Sequence, residues 1–311
     1  MYFEKSGALN FSLIDHELDD MNGVVIRLEI SICGGRMKSF IRLTDFTKDE
    51  LLEIFSIADS IEKYSGYLSG KTVVMFFPDS SIRTRVTFEK GVYLLGGQSI
   101  LFDPATLEKK ENIKDVCGYL QNWADVVIAR YRDIDLLEKM ASFMDVPVIN
   151  ALTDDNHPCE MMADLYALSK RRHDFLKDEY LFVGADGNIG RAWREAAEAM
   201  GFSITQSCPS IYKMSGVENI DNLADAVVGK DIICTDSIPG EFANDFNSFQ
   251  ITKDIMKMAN KGALLNPCPP FYRNEEVSND VIDSNFFVGY DFKKDLLRVQ
   301  QAILTFCMEN R

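Results

Sequence analysis

Ser81-Ile82-Arg83-Thr84-Arg85 gathers two hydroxyls and two guanidinium groups within five residues. Guanidinium groups match phosphate oxygens in planar pairs, and Ser81 and Thr84 add hydroxyl donors. Downstream, Arg130 closes the apolar run Asp125-Val126-Val127-Ile128-Ala129, and His157-Pro158-Cys159-Glu160 places an imidazole and a carboxylate around a proline. The turn Gly184-Ala185-Asp186-Gly187-Asn188-Ile189-Gly190 presents Asn188 and Arg191. Asp236 follows an apolar strand, and Asn266-Pro267-Cys268-Pro269-Pro270 fixes the directions of Cys268 and its neighbouring carbonyls. The chemistry these types suggest is anion binding: a phosphate cradle, a histidine able to donate to a polarised carbonyl, and a carboxylate for a substrate ammonium group.

Each feature also has a plainer reading. Arg130 could simply pair with Asp133, Asp236 could cap a turn, and Cys268 could be an inert thiol in a rigid loop. The glycine turn could serve backbone geometry alone. As a dinucleotide site it lacks the acidic residue that would hold a ribose, because the next strand ends in Gln206-Ser207-Cys208. That argues against a nicotinamide-dependent dehydrogenase. Glu108-Lys109-Lys110-Glu111 is a solvated loop from which a mobile Lys109 could reach a phosphate site in its own or a neighbouring subunit.

The positioning elements follow from hydrophobic pattern. Thr72-Val73-Val74-Met75-Phe76-Phe77 is uncharged and β-branched, as a strand buried on both faces should be. It predicts a strand running into a helix over 83–95, so the Ser-Arg stretch meets a helix N-terminus, where free N–H groups and the dipole favour an anion. Further strands are predicted at 99–102, 125–129 and 147–150, with helices at 112–123 and 134–143. A helix runs from Pro158 to about His173. A second series has strands at 180–184, 202–207, 231–235 and 263–266, and helices at 190–200, 221–228 and 253–259. Phe286–Gly289 is strand-like, and Asp291–Met308 forms a closing amphipathic helix. This alternation predicts an α/β fold of two doubly wound parallel-sheet domains joined by interdomain helices. The expected division is 37–152 with the C-terminal helix 291–311, and 153–290. Residues 1–36 have little periodicity, and the character changes at Met37 before the capping-box pattern Thr47-Lys48-Asp49-Glu50. They are expected to be an extension or a mis-assigned start.

Composition narrows the function class. The 311 residues carry a net charge of −15, which argues against a nucleic-acid partner. No run approaches the ~20 apolar residues of a membrane span. Seven scattered cysteines and three histidines form no zinc-ligand spacing, so no metal is expected and reduced thiols in the cytoplasm are.

Taken together the motifs resemble the aspartate and ornithine carbamoyltransferase family. Ser81-Ile82-Arg83-Thr84-Arg85 is similar to its Ser-Thr-Arg-Thr-Arg carbamoyl-phosphate signature. The likeness extends through Phe88-Glu89-Lys90-Gly91, Leu95-Gly96-Gly97, Glu111 with Asp115, Arg130, Val146-Pro147-Val148-Ile149-Asn150-Ala151, His157-Pro158-Cys159-Glu160, Ala163-Asp164-Leu165, Cys268 with Pro270, and Arg273-Asn274-Glu275-Glu276-Val277.

The resemblance implies a homotrimer, or a multiple of trimers, with active sites between subunits and no cofactor. Ser81, Ile82, Arg83, Thr84, Arg85, Arg130, His157, Glu160 and Pro269 would line the carbamoyl-phosphate site. Arg130 and His157 would polarise the carbamoyl carbonyl, and residue 160 would touch the carbamoyl amine. Asn188, Arg191, Asp236 and Cys268 would take the amino acid, and Lys109 would come from a neighbour.

Departures from the family pattern carry their own implications. Ile82 removes one signature hydroxyl. Glu160 stands for the family glutamine; it can accept from the carbamoyl NH2 but cannot donate, and it would repel phosphate. On that reading Glu160→Gln keeps or raises activity. Leu296 stands where ornithine enzymes have a late arginine. Cys268 and Thr235-Asp236 look like the ornithine branch, although Ser237-Ile238-Pro239-Gly240-Glu241 is shorter than that branch's loop. Lys109 and Arg191 match the aspartate branch, while Ser237 and Pro239 do not. Ornithine is the favoured acceptor, with aspartate or another amine as alternatives, and a non-catalytic carbamoyl-phosphate-binding paralogue as the reading of another class.

Overall fold

The computed structural model describes residues 37–238 and 240–310. The expectation for residues 1–36 lies outside them. The first half runs α1 (Lys48–Asp59), β1 (Thr72–Phe76), α2 (Arg83–Leu94), β2 (Gln98–Phe102), α3 (Ile113–Leu120), β3 (Val126–Arg130), α4 (Ile134–Phe143) and β4 (Val148–Leu152). Helix α5 (Pro158–Arg171) leads into β5 (Glu179–Val183), α6 (Asn188–Met200), β6 (Ser203–Ser207), β7 (Glu218–Asn219), α7 (Leu223–Ala226), β8 (Ile232–Thr235), α8 (Lys253–Met256), β9 (Leu264–Pro267), α9 (Asn279–Ile282) and α10 (Asp295–Glu309). No helix among the described residues is long and apolar enough to cross a membrane.

The strands form two parallel sheets, ordered β2-β1-β3-β4 and β7-β6-β5-β8-β9. In each, the chain winds outward on one side of its first strand and returns to the other side. The strand order therefore reverses beside β1 and beside β5, and a crevice opens beyond their carboxyl ends at each reversal. The loop after β1 carries Ser81, and β3 beside it ends at Arg130. The loop after β5 carries Gly184–Gly187, and β8 beside it ends next to Asp236.

Local signals set the element boundaries. The Thr47 hydroxyl accepts from the Glu50 N–H at 3.3 Å while the Glu50 carboxylate accepts from the Thr47 N–H at 2.8 Å, a reciprocal cap that opens α1. Pro158 starts α5 where a missing N–H costs nothing. One core lies between the two sheets and includes β1, α1, α5, α6 and α10; two smaller cores back the outer faces. Every residue of α5 from Pro158 to Leu168 is buried, because this helix is covered from both domains. Fully burying a large apolar side chain contributes about 1.5–3 kcal/mol relative to exposure, so Met161, Met162, Leu165 and Leu168 tie the halves together. Helix α10 returns to pack against α1, α2 and α5.

The main departures from the sequence reading are short or late elements. Strand β7 was not expected, because two polar residues carry no alternation. Helices α3, α7 and α8 are shorter than their apolar patterns. The closing helix starts at Asp295, after a 3-10 turn over Tyr290–Lys294. Phe286–Gly289 touches the second sheet only through a bridge between Phe287 and Leu265.

Candidate active site

The strand β1 delivers its chain into the crevice through Pro78 and the turn in which the Ser81 N–H donates to the Pro78 carbonyl at 3.0 Å. Helix α2 then begins without a side-chain cap. Its first-turn N–H groups have no intrahelical acceptors, so they and the helix dipole favour an anion there. Ser81 and Thr84 are buried, whereas Ile82 points outward and is 71% exposed. Ile82 thus brings no hydroxyl and borders the cavity beside Arg83 and Glu160 as an apolar rim.

From the neighbouring strand, Arg130 Nη1 donates to Ser81 Oγ at 3.2 Å. Burial and the nearby charge of Arg83 both lower the pKa of Arg130. An anion between the two guanidinium groups would relieve that repulsion. Arg83 lines the adjoining cavities together with Pro269 and Lys293. Arg85 is placed differently. Its Nε donates to Glu89 at 2.7 Å, one helical turn on, and its Nη1 lies 3.7 Å from Asp79. Those carboxylates, and not the pocket, hold this guanidinium.

His157 is the residue before α5 and is only 5% exposed. Burial pushes its pKa down to about 4, with Arg130 and Lys293 adding to the effect against the pull of Glu160. The imidazole is therefore neutral at pH 7 and donates through one ring nitrogen. Its Nδ1 is buried without a hydrogen-bond partner among the described residues.

Glu160 and Asp164 lie one turn apart on α5, which puts both buried carboxylates on one helix face. Lys293, from the turn before α10, reaches between them: Nζ is 2.6 Å from Glu160 Oε1 and 2.5 Å from Asp164 Oδ1. The other Asp164 oxygen accepts from the Asn266 amide at 2.8 Å. Burial is the largest influence and opposes ionisation of Glu160, but Lys293, His157 and Arg83 together overcome it and hold the pKa below the ordinary carboxylate value. Asp164 moves the other way, raised by burial and by its carboxylate neighbour. Burial also disfavours charge on Lys293, and the two carboxylates overcome it. The phosphate repulsion expected from Glu160 is therefore offset by a cation that sequence reading missed. A Lys-Lys pair ahead of an amphipathic helix looks like solvated charge, and nothing local connects it to residues 129 and 133 positions away.

At the second sheet, Asp236 accepts from the Ser237 N–H at 2.8 Å, and burial raises its pKa to about 6. Cys268 follows β9 with its N–H donating to the Thr235 carbonyl at 2.9 Å. Burial, reinforced by the charge of Asp236, raises its thiol pKa well above the usual value. A thiol held protonated is a poor nucleophile, so Cys268 serves by shape and position. Pro269 joins Arg83 and Lys293 in the cavity walls. Asn188 donates to the Thr153 carbonyl at 2.9 Å. Arg191 is held by Asp186 at 2.7 Å and Asp155 at 3.3 Å, and Lys109 is exposed in the loop after β2. Gly190, at the end of the turn, has a packing cause: a Cβ there would sit 2.7 Å from the Phe182 ring and 3.0 Å from Met214 Sδ.

The arrangement has two ends. One holds Ser81, Arg83, Arg130 and His157 around the opening of α2, with the Lys293–Glu160 pair beside it. The other holds Asp236 and Cys268 at the edge of the second sheet. The first suits a phosphate ester or anhydride bearing a carbonyl, and the second suits an ammonium group.

Comparison with known proteins matches the chain to two family descriptions. Residues 38–170 match the family described as "Aspartate/ornithine carbamoyltransferase, carbamoyl-P binding domain", and residues 177–307 match "Aspartate/ornithine carbamoyltransferase, Asp/Orn binding domain". The ornithine carbamoyltransferase of Hydrogenovibrio crunogenus is 34% identical over 297 residues, covering 88% of this chain and 98% of that protein. That of Methylobacillus flagellatus is 31% identical over 298 residues, covering 88% and 97%. Among solved structures, ornithine carbamoyltransferase from Pyrococcus furiosus superposes with a TM-score of 0.83 at 28% identity, covering 88% of this chain and 97% of its own. The enzyme from Burkholderia thailandensis gives 0.82 at 26% identity, covering 88% and 99%.

Proposed function

Since the chain belongs to the aspartate/ornithine carbamoyltransferase family, we propose that it transfers the carbamoyl group of carbamoyl phosphate to an amine, with L-ornithine as acceptor and citrulline and phosphate as products. The observation that carries this reading is the convergence of Ser81, Arg83 and Arg130 on the open N-terminus of α2, with a neutral His157 alongside.

The first-turn N–H groups of α2, with Ser81, Arg83 and Thr84, take the phosphate. Arg130 and His157 donate to the carbamoyl oxygen, where negative charge grows as the amine attacks. The new C–N bond forms as the carbamoyl C–O bond to phosphate breaks, and the departing phosphate accepts the proton lost by the amine. No enzyme-bound covalent intermediate is required. Orientation of two bound reactants supplies about 7–11 kcal/mol, and one well-placed oxyanion donor about 2.7–4 kcal/mol. Asp236 holds the acceptor's ammonium group. Asn188, Arg191 and Cys268 border the same end, and Arg191 would exchange Asp155 or Asp186 for a substrate carboxylate.

The two halves, 37–152 with the C-terminal helix and 153–290, divide these tasks between phosphate and acceptor. Exposed Tyr93 and Trp123 on the first half offer surface for subunit contacts, and on the homotrimer reading Lys109 is offered to a neighbour. The described cysteines are all free and buried, which supports a reducing cytoplasmic setting.

A cavity of about 410 Å³ beside Arg83, walled by Phe271, Phe287, Tyr290 and Phe292, favours a second acceptor reading. An amine bearing an apolar substituent, such as an acylated ornithine, would fill it. Carbamoylation assays against ornithine, aspartate, putrescine and acylated ornithines test these readings. Ornithine is expected to turn over fastest. Aspartate turnover would move the protein to the other branch, and absence of turnover with every amine would leave a carbamoyl-phosphate-binding paralogue.

A further inference from the structure

We propose that Lys293 is a positioning residue for carbamoyl transfer: by bridging Glu160 and Asp164 it aims Glu160 as the acceptor for the carbamoyl NH2 and cancels its charge beside the phosphate. The inference rests on the carbamoyl-transfer reading above and extends it to a residue that lies outside its motifs.

Two carboxylates at positions i and i+4 of a buried helix repel each other, and a buried charge needs a partner. Lys293 meets both within 2.6 Å, and its side chain is four-fifths buried. Asn266 then fixes the far oxygen of Asp164. The bridge spans three elements: α5, the turn before α10, and the end of β9. The Glu160 carboxylate is thus fixed in direction on the wall that it shares with Arg83 and Pro269.

A carboxylate can accept both from Lys293 and from an NH2 group, since its two oxygens offer about four lone-pair sites. Without Lys293, Glu160 would either stand uncompensated beside the phosphate or take up a proton, and in both cases it would lose its aimed, charge-balanced form. A pin that merely joined α5 to α10 would need no such proximity to Arg83. The charges predict opposite effects from removing either partner of the bridge. At alkaline pH, where the carboxylates stay ionised, loss of the lysine adds net negative charge beside the phosphate site, whereas loss of the Glu160 charge removes it.

The test combines steady-state carbamoylation with calorimetric titration by inorganic phosphate, on wild type, Lys293→Met, Lys293→Arg and Glu160→Gln. Lys293→Met is expected to raise KM for carbamoyl phosphate and weaken phosphate binding by at least tenfold, with KM for the amine within twofold of wild type. Lys293→Arg should recover phosphate binding to within about threefold, and Glu160→Gln should bind phosphate several-fold more tightly. Unchanged phosphate affinity in Lys293→Met overturns the proposal, as does a parallel rise in both KM values. Should Lys293→Met fail to fold, the other two variants decide: Glu160→Gln that binds phosphate no better than wild type overturns it. A wild type inactive with every amine refutes the carbamoyl-transfer reading, while the phosphate titrations still decide the role of Lys293.

Discussion

Arg130 and Ser81, 49 residues apart, are joined by a 3.2 Å hydrogen bond across the reversal point of the first sheet. The bond ties the carboxyl end of β3 to the loop leaving β1, so the phosphate end is braced by the protein's own contacts. Ser81→Ala would leave Arg130 buried and less well directed. A neutral hydrogen bond contributes about 0.5–1.5 kcal/mol, and one to a charged group about 1.5–3 kcal/mol. Carbamoyl-phosphate affinity should therefore fall about tenfold in Ser81→Ala, as read by calorimetry.

Arg83→Ala should be more damaging. On the proposed reading it removes a charge set against the anion, and binding of carbamoyl phosphate should drop by about a hundredfold or become undetectable. Affinity equal to wild type would remove Arg83 from the phosphate site. Arg85→Ala, by contrast, mainly breaks an ion pair with Glu89, and its effect should be far smaller.

The acceptor end should respond to mild acid. Asp236 has its pKa raised to about 6 by burial, so it ionises as pH rises through about 6 and is protonated below. If it holds an ammonium group, KM for the amine should rise by about tenfold per unit as pH falls below 6. In Asp236→Asn that dependence should vanish and KM should be high throughout. A wild-type profile flat from pH 5 to 7 would take the ammonium contact away from Asp236.

Acid should also destabilise the fold through His157. Its folded pKa of about 4 lies below the ordinary 6.5, so the unfolded chain binds more protons between those values. Stability from this group is complete above pH 6.5 and is lost as pH falls toward 4, amounting to about 3 kcal/mol. Urea denaturation at pH 7 and pH 4.5, compared with His157→Asn, measures it. An identical pH response in the variant would contradict the assignment.

Gly190→Ala tests the glycine turn. The added methyl would meet Phe182 at 2.7 Å and Met214 at 3.0 Å, and overpacking of this kind costs about 1–3 kcal/mol. Thermal unfolding should shift down while phosphate binding by the first half stays within twofold. A drop in phosphate affinity as large as that of Arg83→Ala would instead place the turn in the anion site.

The regular elements were legible because their signals are local. β1, α2, β3 and the start of α5 fall within a few residues of expectation, since a buried parallel strand is continuously apolar and a proline opens a helix. The strand order, and with it the reversal points, comes from the structure and not from that alternation. What escaped the sequence was pairing between distant charges. Lys293 reads as surface charge until α10 folds back onto α5. Arg85 and Arg191 were expected to face bound substrates, yet each has carboxylates of its own: Glu89 for one, Asp155 and Asp186 for the other. Glu89 sits at i+4 from Arg85, so that competition was readable. Asp155, 36 residues before Arg191, was not.

The return of α10 to the first half also constrains biogenesis. Pro269, Lys293 and Leu296, on the wall beside Arg83, come from the last fraction of the polypeptide, while Arg83 and the phosphate-binding turn are made in the first third. A nascent chain can lay down its opening sheet early on the ribosome, but the reaction chamber stays open on one side until translation is almost finished. Premature release would therefore yield a product with a sheet and no competence.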